Sequence, residues 1–167
     1  MHNRIYIGLG SNLGDRLGNI GRAITLMEES GIKIICRSSV YVSPPWGFEA
    51  SSDFYNAVIE IQTHLGVSEL LDLLKQIELQ LGRMPKSSSG YESRTMDLDI
   101  IDYYGKVLQT DGVQIPHPRM DQRLFVLVPL AEIAPEWTQP LSGIGIKELL
   151  SKISPSETIS KLAVAND

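Results

Sequence analysis

The stretch 93-SRTMDLDIIDYYG-105 completes the order of elements that decides the fold. Its Met, Leu, Ile and Tyr residues are typical of a buried strand. Because a strand alternates its side chains between two faces, Asp97 and Asp99 share one face, and Asp102 is predicted to be a surface residue on the other. Neighbouring carboxylates repel each other, so the shared face meets either solvent or a positively charged partner.

The spacing of apolar residues predicts five elements before this strand. They are a strand over 4–9, a helix that ends at Ser30 before Gly31, strands over 32–43 and 54–63, and a helix over 68–82. Ser68 is the predicted N-cap of the second helix, and Gly82 is its predicted C-cap. The order βαββαβ is that of a ferredoxin-like, mainly antiparallel sheet with two helices on one face.

The later elements are predicted to complete a third layer. They are a hairpin over 107–115, helices over about 121–132 and 146–152, and a tail that is loose from Ser154. The predicted fold class is therefore α+β, a three-layer αβα sandwich with a ferredoxin-like core. A length of 167 residues, 43% of them hydrophobic, fits a single domain over 1–167.

Composition excludes several classes of function. A net charge of −5 argues against nucleic acid as the main partner, because phosphate-backbone binders are usually basic. With Cys36 as the one cysteine, no disulfide can form within the chain, which fits a reducing compartment. The longest apolar run, 124–131, is interrupted by Pro129 and is too short to span a bilayer. We expect a cytoplasmic protein without a membrane partner.

Charged residues around the acidic pair point to a phosphate ligand. Asp97 and Asp99 can converge on a divalent cation, and oxygen ligands favour Mg²⁺; the alternative is a solvated strand face. Basic residues lie before and after this strand: Arg83, Lys86, Arg94 and Arg123. Each is a solvated cation when taken singly, but beside two metal-binding acids such residues suit a polyphosphate.

His117 lies in 115-IPHPRM-120, between two prolines that restrict the backbone. It is either a neutral or cationic donor to a phosphate or a structural histidine.

The segment 44–56 suits a flat heteroaromatic ligand. It carries Trp46, Phe54 and Asn56, which offer rings for stacking and an amide for hydrogen bonds to a polar edge. The alternative is that Phe54 begins a strand and reaches the core. The glycines of 8-GLGSNLG-14 predict a tight strand-to-helix turn rather than a phosphate loop, because neither the dinucleotide nor the P-loop spacing occurs.

Seven motifs occur in order over about residues 4–137: YIGLGSNLGD, SSVYVSPPWG, DFYNAV, QIELQLGR, SRTMDLDI, VQIPHPRM and RLFVLVPLAEIAPE. With this order and spacing the chain resembles the 6-hydroxymethyl-7,8-dihydropterin pyrophosphokinases of folate biosynthesis. The resemblance implies an αβα sandwich with a ferredoxin-like core. It also implies an enzyme that transfers pyrophosphate from ATP to the hydroxymethyl group of the reduced pterin, giving the pterin diphosphate and AMP.

The resemblance further implies a role for each candidate residue. Asp97 and Asp99 would bind two Mg²⁺ ions and, with Arg83 and Arg94, form the catalytic group. The ATP-binding residues would be Glu78, Arg83, Lys86, Arg94, His117 and Arg123. The pterin-binding residues would be Ser43, Pro45, Trp46, Phe54, Asn56 and Phe125. The expected partners are ATP and a reduced pterin, bound by a monomer.

The chain departs from the family pattern between residues 83 and 93. Pro85 stands where relatives often carry a second basic residue, and 91-YES-93 replaces the usual W-G-P in a loop that is one residue longer. Lys86 and Tyr91 are expected to compensate. Segments 44–53 and 83–93 are both expected to close over the substrates. The changes concern the closing of the second segment, not the reaction.

Two other functions fit the same predicted scaffold. One is a non-catalytic ferredoxin-like module that binds RNA or a small regulator, which the acidic charge and the aspartate pair argue against. The other is a different Mg²⁺-dependent enzyme that uses a nucleotide.

Overall fold

The computed structural model describes residues 4–44, 53–82, 95–110 and 112–163. The elements within these residues are β1 (Ile5–Ser11), α1 (Arg16–Glu29), β2 (Lys33–Arg37), β3 (Tyr41–Ser43), β4 (Phe54–Gln62), α2 (Val67–Gln80), β5 (Asp97–Tyr103), β6 (Leu108–Thr110), β7 (Val113–Ile115), a 3-10 helix (Met120–Gln122), α3 (Leu124–Ile133), α4 (Ile146–Ser151) and β8 (Ser160–Lys161). Among them, no helix combines the length and the apolar character needed to cross a membrane.

The main sheet has the strand order β5-β1-β4-β3-β8, and β2 pairs with the other half of β4. Every pair of neighbouring strands is antiparallel. If β2 and β3 are counted as one interrupted strand, the order is that of a ferredoxin-like βαββαβ unit. The predicted α+β class and its antiparallel core are confirmed.

The sheet is buried on both faces by two separate cores. Ile5, Ile7 and Leu9 of β1 pack with apolar residues of α1 and α2 in the first core. Tyr6, from the same strand, packs with residues of α3 and α4 in the second core. Side chains along β1 thus alternate between the face covered by α1 and α2 and the face covered by α3 and α4, and this alternation gives the three layers.

Three boundaries differ from the sequence prediction. The strand predicted over 32–43 is interrupted at 38–40, where Ser38 bonds to β4 through its side chain: the Val58 amide donates to Ser38 Oγ at 2.9 Å. Helix α2 has Gly66 as its N-cap, so the prediction of Ser68 was wrong. Gly82 directly follows the C-cap Leu81 with φ 92°, a conformation that favours glycine.

The tail is not loose throughout. Strand β8 pairs with β3, with Val42 opposite Ser160 and Tyr41 opposite Lys161. The prediction of a loose tail from Ser154 was therefore wrong for this pair of residues, which covers the edge of the sheet.

A β-bulge in β5 changes the face on which Asp102 lies. Ile7 pairs with Ile100, whereas Tyr6 pairs with Asp102, so Ile101 is the extra residue. Asp102 consequently shares the α3 and α4 face with Tyr6. The prediction that Asp102 lies on the surface of the opposite face was wrong, because simple alternation fails at a bulge.

Asp102 is buried and accepts hydrogen bonds at both carboxylate oxygens. Trp137 Nε1 donates to Oδ2 at 2.8 Å, and the amide of Gly105 donates to Oδ1 at 2.7 Å. A buried carboxylate is costly unless such donors compensate for lost water. These bonds link β5, the turn after it and the segment that follows α3.

Glu132 connects α3 to three residues at the edge of the sheet. Its carboxylate accepts from the amide of Ser39 and from Tyr41 Oη, the latter at 2.7 Å, and lies 3.4 Å from Lys161 Nζ. Burial alone would raise the pKa of the Glu132 carboxyl, but the bonds from Ser39 and Tyr41 and the charge of Lys161 outweigh it and lower the pKa. For Tyr41, burial and the nearby Glu132 raise the pKa to about 12.

The substitution Trp137→Phe tests the buried bond to Asp102. It removes the donor but keeps an aromatic ring, so we expect the free energy of unfolding to fall by about 2–3 kcal/mol. Urea denaturation measures this change. Tyr104→Phe, which removes an exposed hydroxyl from the same strand end, is the control. A loss from Trp137→Phe no larger than that of the control would contradict the assigned role of the bond.

The substitution Glu132→Gln tests the connection between α3 and the sheet edge. Because the folded pKa lies below the unfolded value of 4.5, the ionised carboxylate stabilises the fold above pH 4.5, and this contribution is lost as the pH falls through the folded pKa. We expect a loss of about 1 kcal/mol at pH 7, after allowance for solvent at the carboxylate, and a smaller loss below pH 4.5. Thermal unfolding at pH 7 and at a pH below 4.5 measures both losses, and Glu157→Gln, at an exposed position, is the control. An equal loss at both pH values would contradict the assigned charge effect.

Candidate active site

At one end of the sheet, the register aligns four residues in a row across four strands. Asp97 lies opposite Gly10, Gly10 opposite Asn56, and Asn56 opposite Tyr41. Two residues away along β1, Gly8 lies between Asp99 and Val58 in the same way. The two rows place an acidic strand and an amide-bearing strand on either side of two glycines.

The acidic pair lies on the sheet face that α3 and α4 cover elsewhere. Leu98 and Ile100 belong to the core beneath α1 and α2, so the alternating Asp97 and Asp99 point to the opposite face. Both aspartates are half-buried. The prediction that the two carboxylates share a face is confirmed, and the pair is suited to a hard cation such as Mg²⁺, which uses one or two carboxylates with phosphate oxygens.

Glu78 lies on the other face from the acidic pair. It is a buried residue of α2, and its Oε2 accepts a hydrogen bond from the amide of Leu98 at 2.7 Å. Leu98 is the residue between the two aspartates, so Glu78 supports their strand from behind. The structure does not bring this carboxylate to the face that carries Asp97 and Asp99.

His117 follows β7 after a cis peptide bond between Ile115 and Pro116. Burial lowers the pKa of His117 to about 4; the charge of Arg123 acts in the same direction, and Asp97 opposes it. The imidazole is therefore neutral at pH 7. Its Nδ1 accepts from the amide of Arg119 at 3.3 Å, which leaves Nε2 as the N–H donor.

Arg123 is buried at the start of α3, which begins at the next residue. Its guanidinium carbon lies 5.5 Å from the centroid of the Phe125 ring. Asp97 and Arg123 both act on the pKa of His117, so this neutral donor lies within electrostatic range of the acidic strand and of a cation that has an aromatic ring beside it. That combination can bind an anion and a flat ring side by side.

The amide of Asn56 is held in a fixed orientation. Its Nδ2 donates to Ser43 Oγ at 2.7 Å, and both side chains are buried. The remaining Nδ2 hydrogen and Oδ1 can pair with a donor–acceptor edge of a ligand. Ser43 lies opposite Phe54 in the ladder, so the predicted pterin residues of β3 and β4 do come together.

Gly10 provides the space that Asn56 occupies. A Cβ at this position would lie 3.0 Å from Asn56 Oδ1 and 3.8 Å from Phe54 Cδ1. The sequence prediction treated this glycine as part of a turn, whereas it lies within β1. Only the strand register reveals its position between the acidic pair and the amide.

Five of the predicted site residues lie outside the described residues: Arg83, Arg94 and Lys86 on the ATP side, and Pro45 and Trp46 on the pterin side. The two departures from the family pattern, Pro85 and Tyr91, lie outside them as well. Their predicted roles stay predictions.

The chain matches the family model of 7,8-dihydro-6-hydroxymethylpterin-pyrophosphokinase over residues 6–135. It is 43% identical over 134 residues to the 2-amino-4-hydroxy-6-hydroxymethyldihydropteridine pyrophosphokinase of Bacillus subtilis, covering 80% of this chain and 79% of that protein. The enzyme of the same name from Methylorubrum extorquens is 38% identical over 154 residues, covering 92% of this chain and 95% of its own.

Longer proteins contain a similar segment. The folic acid synthesis protein fol1 of Pneumocystis carinii is 42% identical over 149 residues, which are 89% of this chain but 20% of that protein. The crystal structure of wild-type Plasmodium falciparum HPPK-DHPS with pteroate matches with a TM-score of 0.69 at 16% identity, covering 90% of this chain and 42% of that one. At this identity the structural match supports the fold alone.

The family model spans most of the chain, relatives of nearly equal length are about 40% identical, and the fold agrees. This chain belongs to the 7,8-dihydro-6-hydroxymethylpterin-pyrophosphokinase family, as the resemblance of its motifs indicated.

Proposed function

We propose that this protein transfers the pyrophosphoryl group of ATP to the hydroxymethyl group of 6-hydroxymethyl-7,8-dihydropterin, and that it uses Mg²⁺ to do so. The observation that carries the proposal is the row across the sheet. It places Asp97 and the Asn56 amide two strands apart, with Gly10 between them. Neighbouring strands lie roughly 5 Å apart, so these two side chains can hold the two reactants next to each other.

The donor set of the acidic pair fits Mg²⁺. We assign two ions to Asp97 and Asp99, because two carboxylates on one strand face can share cations with a triphosphate. When bound, the metal offsets phosphate charge and helps orient the β-phosphorus. The repulsion between the two aspartates is relieved in the same arrangement.

The phosphate side is completed by His117 and Arg123. His117 is neutral at pH 7, so its Nε2–H can donate to a phosphate oxygen, while Arg123 provides a fixed positive charge. Arg83, Lys86 and Arg94 are the further cations that the family pattern assigns to ATP. Glu78 acts on ATP only indirectly in this proposal, by holding the amide of Leu98.

The pterin side is built on β3 and β4. Asn56, held by Ser43, would pair with the polar edge of the pterin, and Phe54 would pack against one face of the ring. Phe125, beside Arg123, would contact the opposite face. Pro45 and Trp46 are assigned to the same pocket by the family pattern.

The reaction is a direct displacement at the β-phosphorus of ATP. The hydroxymethyl oxygen forms a bond to that phosphorus, and the bond from the phosphorus to the α–β bridging oxygen breaks, releasing AMP. The hydroxyl proton passes to Asp97 or to water. The protein contributes alignment, charge neutralisation and exclusion of water, so no covalent enzyme intermediate is involved.

We further propose that the chain works as a cytoplasmic monomer and as one domain over 1–167. The single cysteine, which fits a reducing compartment, supports the cytoplasmic setting. Analytical ultracentrifugation at micromolar concentration tests the monomer.

Product analysis tests the reaction. We expect AMP to accumulate from ATP only when 6-hydroxymethyl-7,8-dihydropterin and Mg²⁺ are both present, and chelation of the metal should abolish turnover. Chromatography of the nucleotides measures this. Release of ADP would instead indicate the alternative of a different nucleotide-using enzyme, and AMP release without the pterin would also contradict the proposal.

The substitutions Asp97→Ala and Asp99→Ala test the acidic pair. Each should lower turnover by roughly a thousandfold or more, because a ligand of the catalytic metal is lost. Asp72→Ala, which removes an exposed acid from α2, is the matched control and should leave turnover unchanged. Near-normal turnover in Asp97→Ala would rule out the assigned role.

An NMR titration tests the state of His117. In the ligand-free protein its imidazole should titrate with a pKa of about 4, since burial and Arg123 disfavour the cation. The neutral ring therefore adds to stability above the unfolded pKa of 6.5, and this contribution is lost as the pH falls from 6.5 towards 4. A bound triphosphate should raise the pKa, because its negative charge favours the imidazolium. A pKa near 6.5 that a nucleotide does not change would contradict the assignment; the variant His117→Gln identifies the signal.

A further inference from the structure

The corner between β1 and α1 contacts both halves of the candidate site from outside it. This segment, 11-SNLGDRLGN-19, includes the end of β1 and the first turn of α1. The sequence pattern explained it only as a tight turn. Three of its side chains, Ser11, Asn19 and Arg16, bond to the beginnings of the strands that carry the acidic pair and the pterin residues.

Asn19 holds the entry to the acidic strand. Its Nδ2 lies 3.1 Å from the carbonyl oxygen of Thr95, 3.2 Å from Ser11 Oγ and 3.0 Å from the carbonyl oxygen of Leu13. Ser11 Oγ also donates to the carbonyl oxygen of Thr95, at 2.5 Å. Asn19 and Ser11 are both buried. Two buried donors therefore converge on one carbonyl.

Thr95 lies two residues before Asp97, so fixing its carbonyl fixes the direction in which the chain enters β5. A buried amide with several acceptors keeps one orientation, because rotation would leave polar atoms without partners. The acidic strand is thereby positioned before any metal binds. Groups that orient metal ligands in this way commonly affect metal affinity although they never contact the ion.

Arg16 holds the start of β4. Its Nη1 donates to the carbonyl oxygen of Asp53 at 2.9 Å, and its Nη2 lies 3.3 Å from Tyr55 Oη. The guanidinium carbon also lies 4.0 Å from the centroid of the Tyr55 ring. Asp53 and Tyr55 are the neighbours of Phe54 in the chain, so Arg16 contacts the backbone just before that residue and the side chain just after it.

From these contacts we infer that the β1–α1 corner positions the two halves of the site separately: Asn19 positions the acidic pair, and Arg16 positions the pterin-binding start of β4. Neither is a catalytic residue, since each acts through the backbone or side chain of another residue. The inference rests on the proposed function. The alternative is a purely structural role, in which both side chains only stabilise the beginning of α1.

The variants Asn19→Ala, Ser11→Ala and Arg16→Met separate these possibilities in direct binding titrations. Mn²⁺ with a non-hydrolysable ATP analogue, followed by electron paramagnetic resonance, reports on the acidic pair. Quenching of 6-hydroxymethylpterin fluorescence reports on the pterin side. We expect Asn19→Ala and Ser11→Ala to weaken Mn²⁺ binding by roughly tenfold, with pterin affinity within about twofold of wild type. Arg16→Met should show the reverse pattern, and Arg16→Lys, which keeps the charge and the stem, should recover part of the pterin affinity.

Asp15→Ala is the matched control for stability. The Asp15 carboxylate accepts from the amide of Gly18 at 3.0 Å as the N-cap of α1, so its loss weakens the same corner without removing a bond to Thr95 or Asp53. It should lower the melting temperature but leave both affinities within about twofold. If Asn19→Ala and Arg16→Met behave like this control, or if each weakens both ligands equally, the inference is wrong.

The design separates this inference from the proposed function. The titrations need no turnover, whereas pterin-dependent AMP release by the wild-type protein tests the reaction. If the wild-type protein binds both probes but no variant loses affinity for one probe selectively, only the positioning roles are overturned. Wild-type protein that binds neither probe overturns the positioning roles and the proposed function together.

Discussion

The antiparallel register of β1 between β4 and β5 is the constraint on which the candidate site depends. Once Gly10 is paired with both Asp97 and Asn56, an acid and an amide must project from the same face of the sheet. No loop conformation is needed to bring them together, because the ladder of backbone hydrogen bonds already does so. The glycine leaves the gap between them open, and a larger residue there would meet the Asn56 side chain.

Much of the fold could be predicted because its signals are local and periodic. The helical spacing of apolar residues gave α1 and α2, and a period of two placed Asp97 and Asp99 on one face. The prediction for Asp102 failed because a bulge inserts a single extra residue into the strand and has no clear signature in the amino-acid sequence. The partner that makes its burial tolerable, Trp137, is 35 residues away and could not be inferred from local pattern.

The candidate site was predictable from its residue types more than from its geometry. Motif order predicts which side chains form the candidate site, yet the position of Glu78 behind β5 depends on how α2 packs against the sheet. The position of Gly10 is likewise set by pairing with β4, and that of Asn19 by a hydrogen bond to Thr95, 76 residues further along the chain. The sequence of a turn motif such as GSNLGD does not indicate whether its side chains also bond to residues that are distant in the chain.

Strand β8 has a consequence for any shortened or extended version of this chain. The two residues Ser160 and Lys161 occupy the outer edge of β3, which otherwise would offer free backbone groups to another sheet. Removal of β8 would leave the backbone groups of β3 on that side unpaired, and unpaired edge groups can pair with a strand of another molecule. A shortened or fused version of the chain should therefore keep Ser160 and Lys161, with any fusion partner attached after β8 and not in its place.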